Sequence, residues 1–387
     1  MSDNPIFAIS DRAAALRAAS VDVVSLAAGE PDTPTPEHIC DAAARAVKDP
    51  AMHRYGPAAG LPALRHTVAE RLTATIGLPW AADDLLVSLG AKHALFLAMH
   101  AIVASPRSTV LVVTPGWPGH QAAVLAAGGQ PRPVDTDATG FLATAETLER
   151  AWVPGTRAVV LANPANPTGA TYDQEQWSEI AAWAARRDVW VITDDVYQAF
   201  VYDSDHVHAL HAAPQLRERC IVIDSVSKAH SMTGWRVGWL AAPPPVVAAA
   251  TTMLARTATH VPQITQAAAV EALIAGAADL RATKAIYRQR RDRAHHALNA
   301  VDGVDCPLPA GGMFLFPSVT ALLQRNGDNI STTAELAAWL LDNAGVAVVP
   351  GEAFDAPGRL RLCFAIDDTA LDKALDRLTD ALNRLGR

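Results

Sequence analysis

One stretch of the sequence combines a lysine with groups that bind phosphate esters. Lys228 follows an apolar, β-branched run, with Ser225 and Ser227 before it and Arg236 after it. Burial or neighbouring cations can lower the pKa of a lysine at a strand end until its neutral amine attacks carbonyls. The two hydroxyls and the guanidinium are donors suited to a phosphate ester. The alternative interpretation is a surface lysine at the start of a loop.

An amine beside a phosphate site suggests pyridoxal 5′-phosphate held as a Schiff base on Lys228. A serine acyl-enzyme is a rival interpretation, because Ser225–Lys228 matches the motif S-x-x-K. Such enzymes also need S-D-N and K-T-G further along the chain. The only S-D-N here is Ser2–Asn4, which lies upstream, and K-T-G is absent, so the rival is disfavoured.

Composition excludes several other classes of protein. The chain has 387 residues, of which 50% are apolar and 19% charged, as in a globular protein with a sizeable core. A net charge of −8 argues against a nucleic-acid or anionic-membrane surface. No apolar run reaches the ~18 residues of a membrane span, and the N-terminus lacks a signal-peptide pattern. The four cysteines lie far apart, so no metal site is predicted and a cytoplasmic protein is expected.

These side chains must be positioned by the strands and helices that alternate between about residues 84 and 241. Helices are predicted over Ala91–Ala104 and Asp173–Arg187, where apolar residues recur with helical spacing. The alternation predicts an α/β fold with a mostly parallel sheet covered by helices and ligands at the carboxyl ends of its strands. The short runs predicted as buried strands are Leu85–Ser88, Val110–Thr114, Ala158–Ala162, Val189–Thr193, Cys220–Ser225 and Val237–Ala241.

The pattern changes after residue 245. Helical stretches at about 245–275 and 278–301 precede shorter α/β elements and a final helix, Thr369–Leu385. We predict a large domain over residues 46–285 and a smaller α/β domain built from residues 1–45 and 286–387. Two charged groups are expected to face solvent: the basic helix face within 281–293, and the loop histidines His206, His208 and His211.

The segment around Lys228 resembles, position by position, the lysine-attachment motif of the class I/II aminotransferases, which are fold type I pyridoxal-phosphate enzymes. Within that family the chain resembles the aspartate- and aromatic-type aminotransferases, and the likeness covers most of the chain. It implies a homodimer with shared active sites. The other matching segments follow in the family's order: Ser25–Asp32, Tyr55–Arg65, Val87–Lys92, Asn163–Gly169, Asp194–Tyr197 and Arg359–Leu362.

The resemblance implies that the cofactor phosphate lies where a helix follows a strand. Backbone N–H groups at a helix start suit a phosphate, and Lys92 is expected to contribute its amide and not its ammonium. Tyr55 is implied to reach over from the neighbouring subunit. The phosphate ligands would then be Gly90, Ala91, Lys92, Ser225, Ser227, Arg236 and Tyr55.

The resemblance also assigns residues around the cofactor ring. The Asp194 carboxylate would keep the pyridine nitrogen protonated, which makes the ring an electron sink. Tyr197 and Asn166 would hydrogen-bond the phenolic oxygen, and Trp117 would stack on the ring. Asn166 could otherwise be a turn residue, and Trp117 a core residue.

Two positions depart from the usual family pattern. Gly116 and His120 stand where many relatives carry larger aromatic or aliphatic residues, so the pocket beside Trp117 is expected to be unusually open. Asp195 and Arg359 lie next to implied site residues, and strand alternation is expected to turn both away.

For the substrate, the resemblance implies that Arg361 grips the α-carboxylate, a bidentate task that suits a guanidinium. Gly29, Trp117 and Asn166 would line the same site. Dicarboxylate-specific relatives place a second cation near the substrate side chain. The candidates are His100, Arg256 and His260, and the sequence does not decide among them.

The implied activity is transfer of an amino group between an L-amino acid and a 2-oxo acid. Lys228, Asp194 and Tyr197 are the expected catalytic residues, with Lys228 moving the proton between the substrate Cα and the cofactor C4′. The alternative is elimination, oxidation or cyclisation of an amino acid by the same fold, which only the open loop at 116–120 favours. A sensor domain of a transcription regulator is disfavoured, because the likeness begins near residue 10 and leaves no room for a DNA-binding domain.

Overall fold

The computed structural model describes residues 5–103, 105–325 and 330–385. The motif Ser2–Asn4 and the end of one predicted helix, Ala104, lie outside these ranges. The strands are β1 (Val24–Ser25), β2 (Leu85–Ser88), β3 (Thr109–Thr114), β4 (Gln130–Asp135), β5 (Thr156–Ala162), β6 (Trp190–Asp194), β7 (Cys220–Ser225), β8 (Gly238–Ala241), β9 (Phe314–Leu315), β10 (Val346–Ala347), β11 (Val349–Pro350) and β12 (Leu360–Cys363).

Helices connect and cover these strands. They are α1 (Pro5–Ala18), α2 (Glu37–Val47), α3 (Pro62–Ile76), α4 (Ala91–Ile102), α5 (Pro118–Ala126), α6 (Ala145–Ala151), α7 (Gln174–Arg187), α8 (Ala209–Ala212), α9 (Pro244–Thr257), α10 (Gln263–Ala275), α11 (Ala277–Asn299), α12 (Thr320–Arg325), α13 (Thr333–Ala344) and α14 (Asp368–Leu385). Among the described residues, no helix has both the length and the apolar composition needed to cross a membrane.

A seven-stranded sheet in the order β2-β8-β7-β6-β5-β3-β4 forms the centre of the fold. All its neighbouring strands pair in parallel except β8, which is antiparallel to β2 and β7. The predicted α/β sheet is therefore confirmed, and each of the six predicted strands overlaps an observed one. The seventh, β4, was not predicted, because Pro131 and Pro133 argue against a strand in the sequence. They are tolerated because β4 lies at the sheet edge.

Alternate strand residues enter apolar cores on opposite faces of this sheet. Ile192 and Ile221 pack with α4, α5 and α9, whereas Val191 and Val222 pack with α3, α7 and α10. A separate core joins α11, α13 and α14 to β9 and β12. The division of the chain into domains at residues 46 and 285 stays a prediction.

Several sequence expectations outside the sheet need correction. The helical stretch predicted at 245–275 is two helices, because the chain leaves the helical conformation before Pro262. Arg290 and Arg291 do not lie on a solvated face: both are buried and ion-paired. His208 is buried as well, and of the three loop histidines only His211 is exposed.

Candidate active site

A cavity of about 740 Å³ lies at the carboxyl ends of the central strands. Its wall includes Ala162 at the end of β5, Asp194 at the end of β6 and Ser225 at the end of β7. Parallel strands present their carboxyl ends to one edge of a sheet, so residues distant in sequence meet here. The cavity therefore lies where the sequence predicted a ligand site.

Lys228 lies in this cavity, three residues beyond β7. Its Nζ donates a hydrogen bond to the carbonyl oxygen of Gly29. Burial lowers the pKa of Lys228 to about 8. At pH 7 about one molecule in ten then carries a neutral amine, compared with fewer than one in a thousand for a lysine of ordinary pKa. The side chain is thus prepared to act as a nucleophile.

A cluster of hydrogen-bond donors lies on the sheet-end wall. The first turn of α4, whose N–H groups lack carbonyl partners within the helix, brings Ala91 and Lys92 to the cavity beside Ser225, Ser227 and Arg236. This arrangement suits the phosphate of a ligand.

Gly90 makes room for the arginine of that cluster. It has a positive φ of 83°, and a Cβ there would lie 2.6 Å from a guanidinium nitrogen of Arg236. Arg236 donates to the carbonyl oxygens of Leu89 and Thr233, at 3.0 and 2.8 Å, which holds it beside the helix start. A side chain at position 90 would displace the guanidinium.

Asp194 presents one unsatisfied oxygen among the described residues. Its Oδ2 accepts a hydrogen bond from His120 Nε2 at 2.9 Å, whereas its buried Oδ1 has no hydrogen-bond partner. A buried carboxylate oxygen without a donor is costly. A protonated ring nitrogen supplied by a ligand would donate to this oxygen, so Asp194 fits the pyridinium of the expected cofactor.

His120 was misinterpreted from the sequence as part of an open pocket. It is only 3% exposed, contacts Asp194 and lies perpendicular to the Trp117 ring, with ring centres 5.3 Å apart. At Gly116, a Cβ would lie 2.1 Å from the carbonyl oxygen of Val113, so backbone fills that space. Backbone therefore takes the space of a side chain at position 116, whereas Trp117 and His120 still line the cavity. The contact of His120 with Trp117 was signalled by the spacing, since Trp117 directly precedes α5 and residues i and i+3 of a helix share a face.

Arg361 is a buried cation without an acidic partner among the described residues. Its guanidinium lies 4.4 and 5.0 Å from the ring centres of Phe314 and Phe354 and donates to the carbonyl oxygen of Ala27 at 2.7 Å. Its Nε has no hydrogen-bond partner within the described ranges, and burial lowers the pKa of Arg361. Asn166 Oδ1 lies 3.4 Å from its Nη1. A carboxylate entering the cavity would complete this site.

Tyr197 stands on the same wall, with its ring 5.7 Å from that of Phe314. Burial raises the pKa of Tyr197 well above its usual value, so the phenol stays protonated and can donate a hydrogen bond. Trp117, Asn166 and Gly29 also line the cavity.

Asp195 and Arg359 both lie outside the cavity. Asp195 is buried on the other side of the sheet, 3.0 Å from His208 Nε2. Arg359 lies 3.2 Å from Asp137. Side chains of successive residues in an extended chain point to opposite faces, which explains why Asp195 points away from the cavity that Asp194 lines. The same rule does not explain Arg359, because residues 359 and 361 would share a face of a continuous strand. Arg359 points elsewhere because β12 begins one residue later.

Tyr55 is the one predicted ligand far from the cavity. It is 88% exposed and lies against His260 in a second, shallow pocket. None of the three candidate cations for a substrate side chain, His100, Arg256 and His260, lines the cavity. Lys92 does, and its ammonium lies 5.3 Å from the Trp117 ring centre.

No three His, Cys, Asp or Glu side chains within residues 5–103, 105–325 and 330–385 form a group that could hold a metal ion.

The chain is similar over almost its whole length to known proteins. The family model for aminotransferase class I and II matches residues 21–378. An aspartate aminotransferase from Streptomyces avermitilis is 39% identical over 99% of this chain and 95% of its own length. A probable aspartate/prephenate aminotransferase from Aquifex aeolicus is 32% identical, covering 100% and 97%.

Two solved structures share the fold throughout. The crystal structure of an aspartate aminotransferase from Rhizobium meliloti has a TM-score of 0.93 at 34% identity, covering 99% of this chain and 97% of that one. The aspartate aminotransferase from Thermus thermophilus with maleate has a TM-score of 0.90 at 33% identity, covering 100% and 97%.

Proposed function

The chain belongs to the class I and II aminotransferases, and we propose that its cavity binds pyridoxal 5′-phosphate and that aspartate is its amino donor. The protein transfers amino groups between amino acids and 2-oxo acids and has the fold type I architecture of pyridoxal-phosphate enzymes. The observation that carries the cofactor proposal is the unsatisfied Oδ1 of Asp194 opposite the reactive amine of Lys228.

When bound, pyridoxal phosphate supplies an electron sink that stabilises negative charge at the substrate Cα. Asp194 binds the ring nitrogen and is itself held by His120. Tyr197 and Asn166 hydrogen-bond the phenolic oxygen, and Trp117 covers the ring. The phosphate is held by Gly90, Ala91, Lys92, Ser225, Ser227 and Arg236, with Tyr55 supplied by the second subunit of a homodimer.

Lys228 is the covalent attachment point and the proton carrier. Its lowered pKa leaves a neutral amine available near pH 8, which suits both attack on a carbonyl and removal of a proton from the substrate Cα. Gly29 orients the amine through its carbonyl oxygen. Arg361 binds the α-carboxylate, because its guanidinium has no acidic partner among the described residues and its Nε has no hydrogen-bond partner there.

The choice of aspartate rests on a fourth cation in the cavity. Arg361, Arg236 and Lys228 bind the α-carboxylate, the phosphate and the amine site, and the second carboxylate is assigned to the Lys92 ammonium, which also lines the cavity. It lies over Trp117, the residue that covers the ring. Three of the four similar proteins named above are aspartate aminotransferases, and one of them was solved with the dicarboxylate maleate.

Elimination, oxidation and cyclisation are not favoured. The only feature that supported them was the open loop at 116–120, which backbone atoms and the buried His120 fill.

The test is a half-reaction with purified protein. With L-aspartate and no acceptor, the cofactor absorbance should change to that of pyridoxamine phosphate in about one turnover per site, with release of a 2-oxo acid. Adding a 2-oxo acid should restore the first spectrum. Continuous turnover without an acceptor, with ammonia release or oxygen uptake, would contradict the proposal.

A matched pair of variants tests the amino donor. Lys92→Met should lower kcat/KM for aspartate by roughly 10-fold relative to alanine, because a charge contact to the second carboxylate is lost. Lys48→Met, an exposed lysine outside the cavity, should not change that ratio. An unchanged preference in Lys92→Met would place the second carboxylate elsewhere.

A further inference from the structure

The segment formed by residues 26–35 contacts both of the groups that receive the substrate. The carbonyl oxygen of Gly29 accepts from Lys228, and that of Ala27 accepts from Arg361. Both contacts are made by backbone atoms, so they depend on where the segment lies and not on which side chains it carries. A shift of this segment would displace the amine and the guanidinium together.

The start of the segment is fixed by backbone bonds to two small sheets, one formed by β1 and β10 and the other by β11, β12 and β9. Leu26 donates to the carbonyl oxygen of Ala347 at 2.8 Å, and its own carbonyl oxygen accepts from Cys363 at 2.7 Å. The first bond continues the pairing of β1 with β10, and the second joins the segment to the end of β12.

The end of the segment is held by Thr33 and Thr35, which hydrogen-bond Ser231 at 2.7 and 2.6 Å. Its middle, at Asp32, is held by side chains of α11. Asp32 accepts from Arg290 Nη1 at 2.9 Å and from the Tyr287 hydroxyl at 3.2 Å. Arg290 Nη2 also donates to Asp368, at the start of α14, at 3.1 Å. Arg290 is only 4% exposed. It belongs to the basic helix face that the sequence placed in solvent.

We propose that Asp32 and Arg290 are positioning residues for the transamination site: through the 26–35 segment they set the orientation of Lys228 and Arg361. This inference rests on the function proposed above for those two residues. Removing one partner of a buried pair leaves the other charge uncompensated, so the segment should leave its position when either Asp32 or Arg290 is changed. A small misplacement of reacting groups can lower a rate by 10²-fold.

A purely structural role for Arg290, joining α11 to α14, is the competing explanation. Arg293 provides the control, because it binds the same Asp368 at 2.6 Å and also Asp372 at 3.0 Å, but makes no contact with Asp32. Its side chain is 41% exposed. Arg293→Met therefore removes a link between the helices and leaves the segment attached.

The experiment compares Arg290→Met, Asp32→Asn and Arg293→Met in the full-length protein. Amide hydrogen exchange across residues 26–35, measured without cofactor, should become about 10-fold faster or more in the first two variants. The same two variants should lose roughly 10- to 100-fold in kcat/KM for aspartate, with KM raised. Arg293→Met should stay within about twofold of the parent in both measurements, even if its unfolding temperature falls. Asp32→Asn is nearly isosteric and carries the test if Arg290→Met does not fold.

Each outcome decides the proposal. Unchanged exchange in residues 26–35, or equal exchange in Arg290→Met and Arg293→Met, overturns it. Faster exchange with unchanged kinetics overturns the link to Lys228 and Arg361. If the parent protein fails to transaminate, the function proposed above fails, while the exchange measurement still decides whether Arg290 holds the segment.

Discussion

Asp194 and Asp195 are neighbours in sequence, yet they lie on opposite sides of the sheet end. On the cavity side, Asp194 has one oxygen bonded to His120 and one with no partner among the described residues. On the far side, Asp195 accepts from the Thr193 hydroxyl at 3.1 Å and lies 3.0 Å from His208. Two identical side chains thus differ in whether the fold itself provides their partners.

The same contrast extends to the residues around them. On the cavity side, Arg361 has an unsatisfied Nε and Lys228 a lowered pKa. On the far side, the Asn163 amide donates to the carbonyl oxygen of Val207 at 3.0 Å and accepts from the backbone N–H of Tyr172. Asp194 Oδ1 and Arg361 Nε are the two buried atoms without a partner among the described residues that belong to side chains lining the cavity, where a ligand would supply the missing partners.

The largest effect is expected at Lys228. Lys228→Ala should lower kcat by about 10⁴-fold or more, because both the nucleophile and the proton carrier are lost. Borohydride reduction followed by peptide mapping should find the pyridoxyl group on Lys228 in the parent and on no lysine of the variant. A reduced adduct on Lys92 in the parent would contradict the assignment.

Substitution of Asp194 should mainly lower activity, whereas substitution of Asp195 should mainly lower stability. Asp194→Asn should lower kcat/KM by roughly 10²- to 10³-fold, since the ring nitrogen loses its anionic partner. Asp195→Asn should change kcat/KM by less than about threefold and reduce the free energy of unfolding by about 1–3 kcal/mol. Steady-state kinetics and thermal unfolding measure both, and equal losses of activity would remove the distinction between the two sides.

A third variant tests Arg361, the unpaired cation of the cavity side. Arg361→Ala should raise the substrate KM and lower kcat/KM by ~10²-fold or more, because a desolvated bidentate contact is lost. The absorbance spectrum of the bound cofactor should not change, since Arg361 contacts substrate. If the variant used amino acids as well as the parent does, the α-carboxylate would have to bind elsewhere.

The smallest effect concerns pH. Because burial lowers the pKa of Lys228 to about 8, its amine is protonated below that pH and neutral above it. The rate of covalent capture of an aldehyde by Lys228 should rise about 10-fold per pH unit between pH 6 and 7 and level off above pH 8, whereas exposed lysines continue to gain reactivity towards pH ~10.4. Rates for individual lysines come from peptide mapping after borohydride trapping. A Lys228 profile that parallels the exposed lysines would contradict the lowered pKa.

Local patterns in the sequence predicted the central sheet well. Strands buried on both faces are short apolar runs, which is why Leu85–Ser88 and Cys220–Ser225 were placed without error. The motif around Lys228 and the family likeness also led to the residues that line the cavity. Where local rules conflicted, as with the prolines of β4, the sequence could not reveal that the strand lies at an edge.

The failures share a different cause, which is pairing between distant residues. Arg290 and Asp32 are 258 residues apart, and His208 meets Asp195 only after the loop folds back on the sheet. A charged residue in isolation is best interpreted as solvated, and nothing in the sequence identifies its buried partner. His120 was misjudged for the same reason, because its contact with Asp194 spans 74 residues.

The unpaired oxygen of Asp194 also links folding to ligand supply. A ligand that donates to this oxygen binds the folded chain and not the unfolded one, so it stabilises the fold by mass action, by about 2.7 kcal/mol at a concentration of 100 Kd. The amount of folded enzyme in a cell would then depend on how much cofactor is available, even before any reaction takes place. The supply of cofactor would thereby affect the stability of the protein as well as its activity.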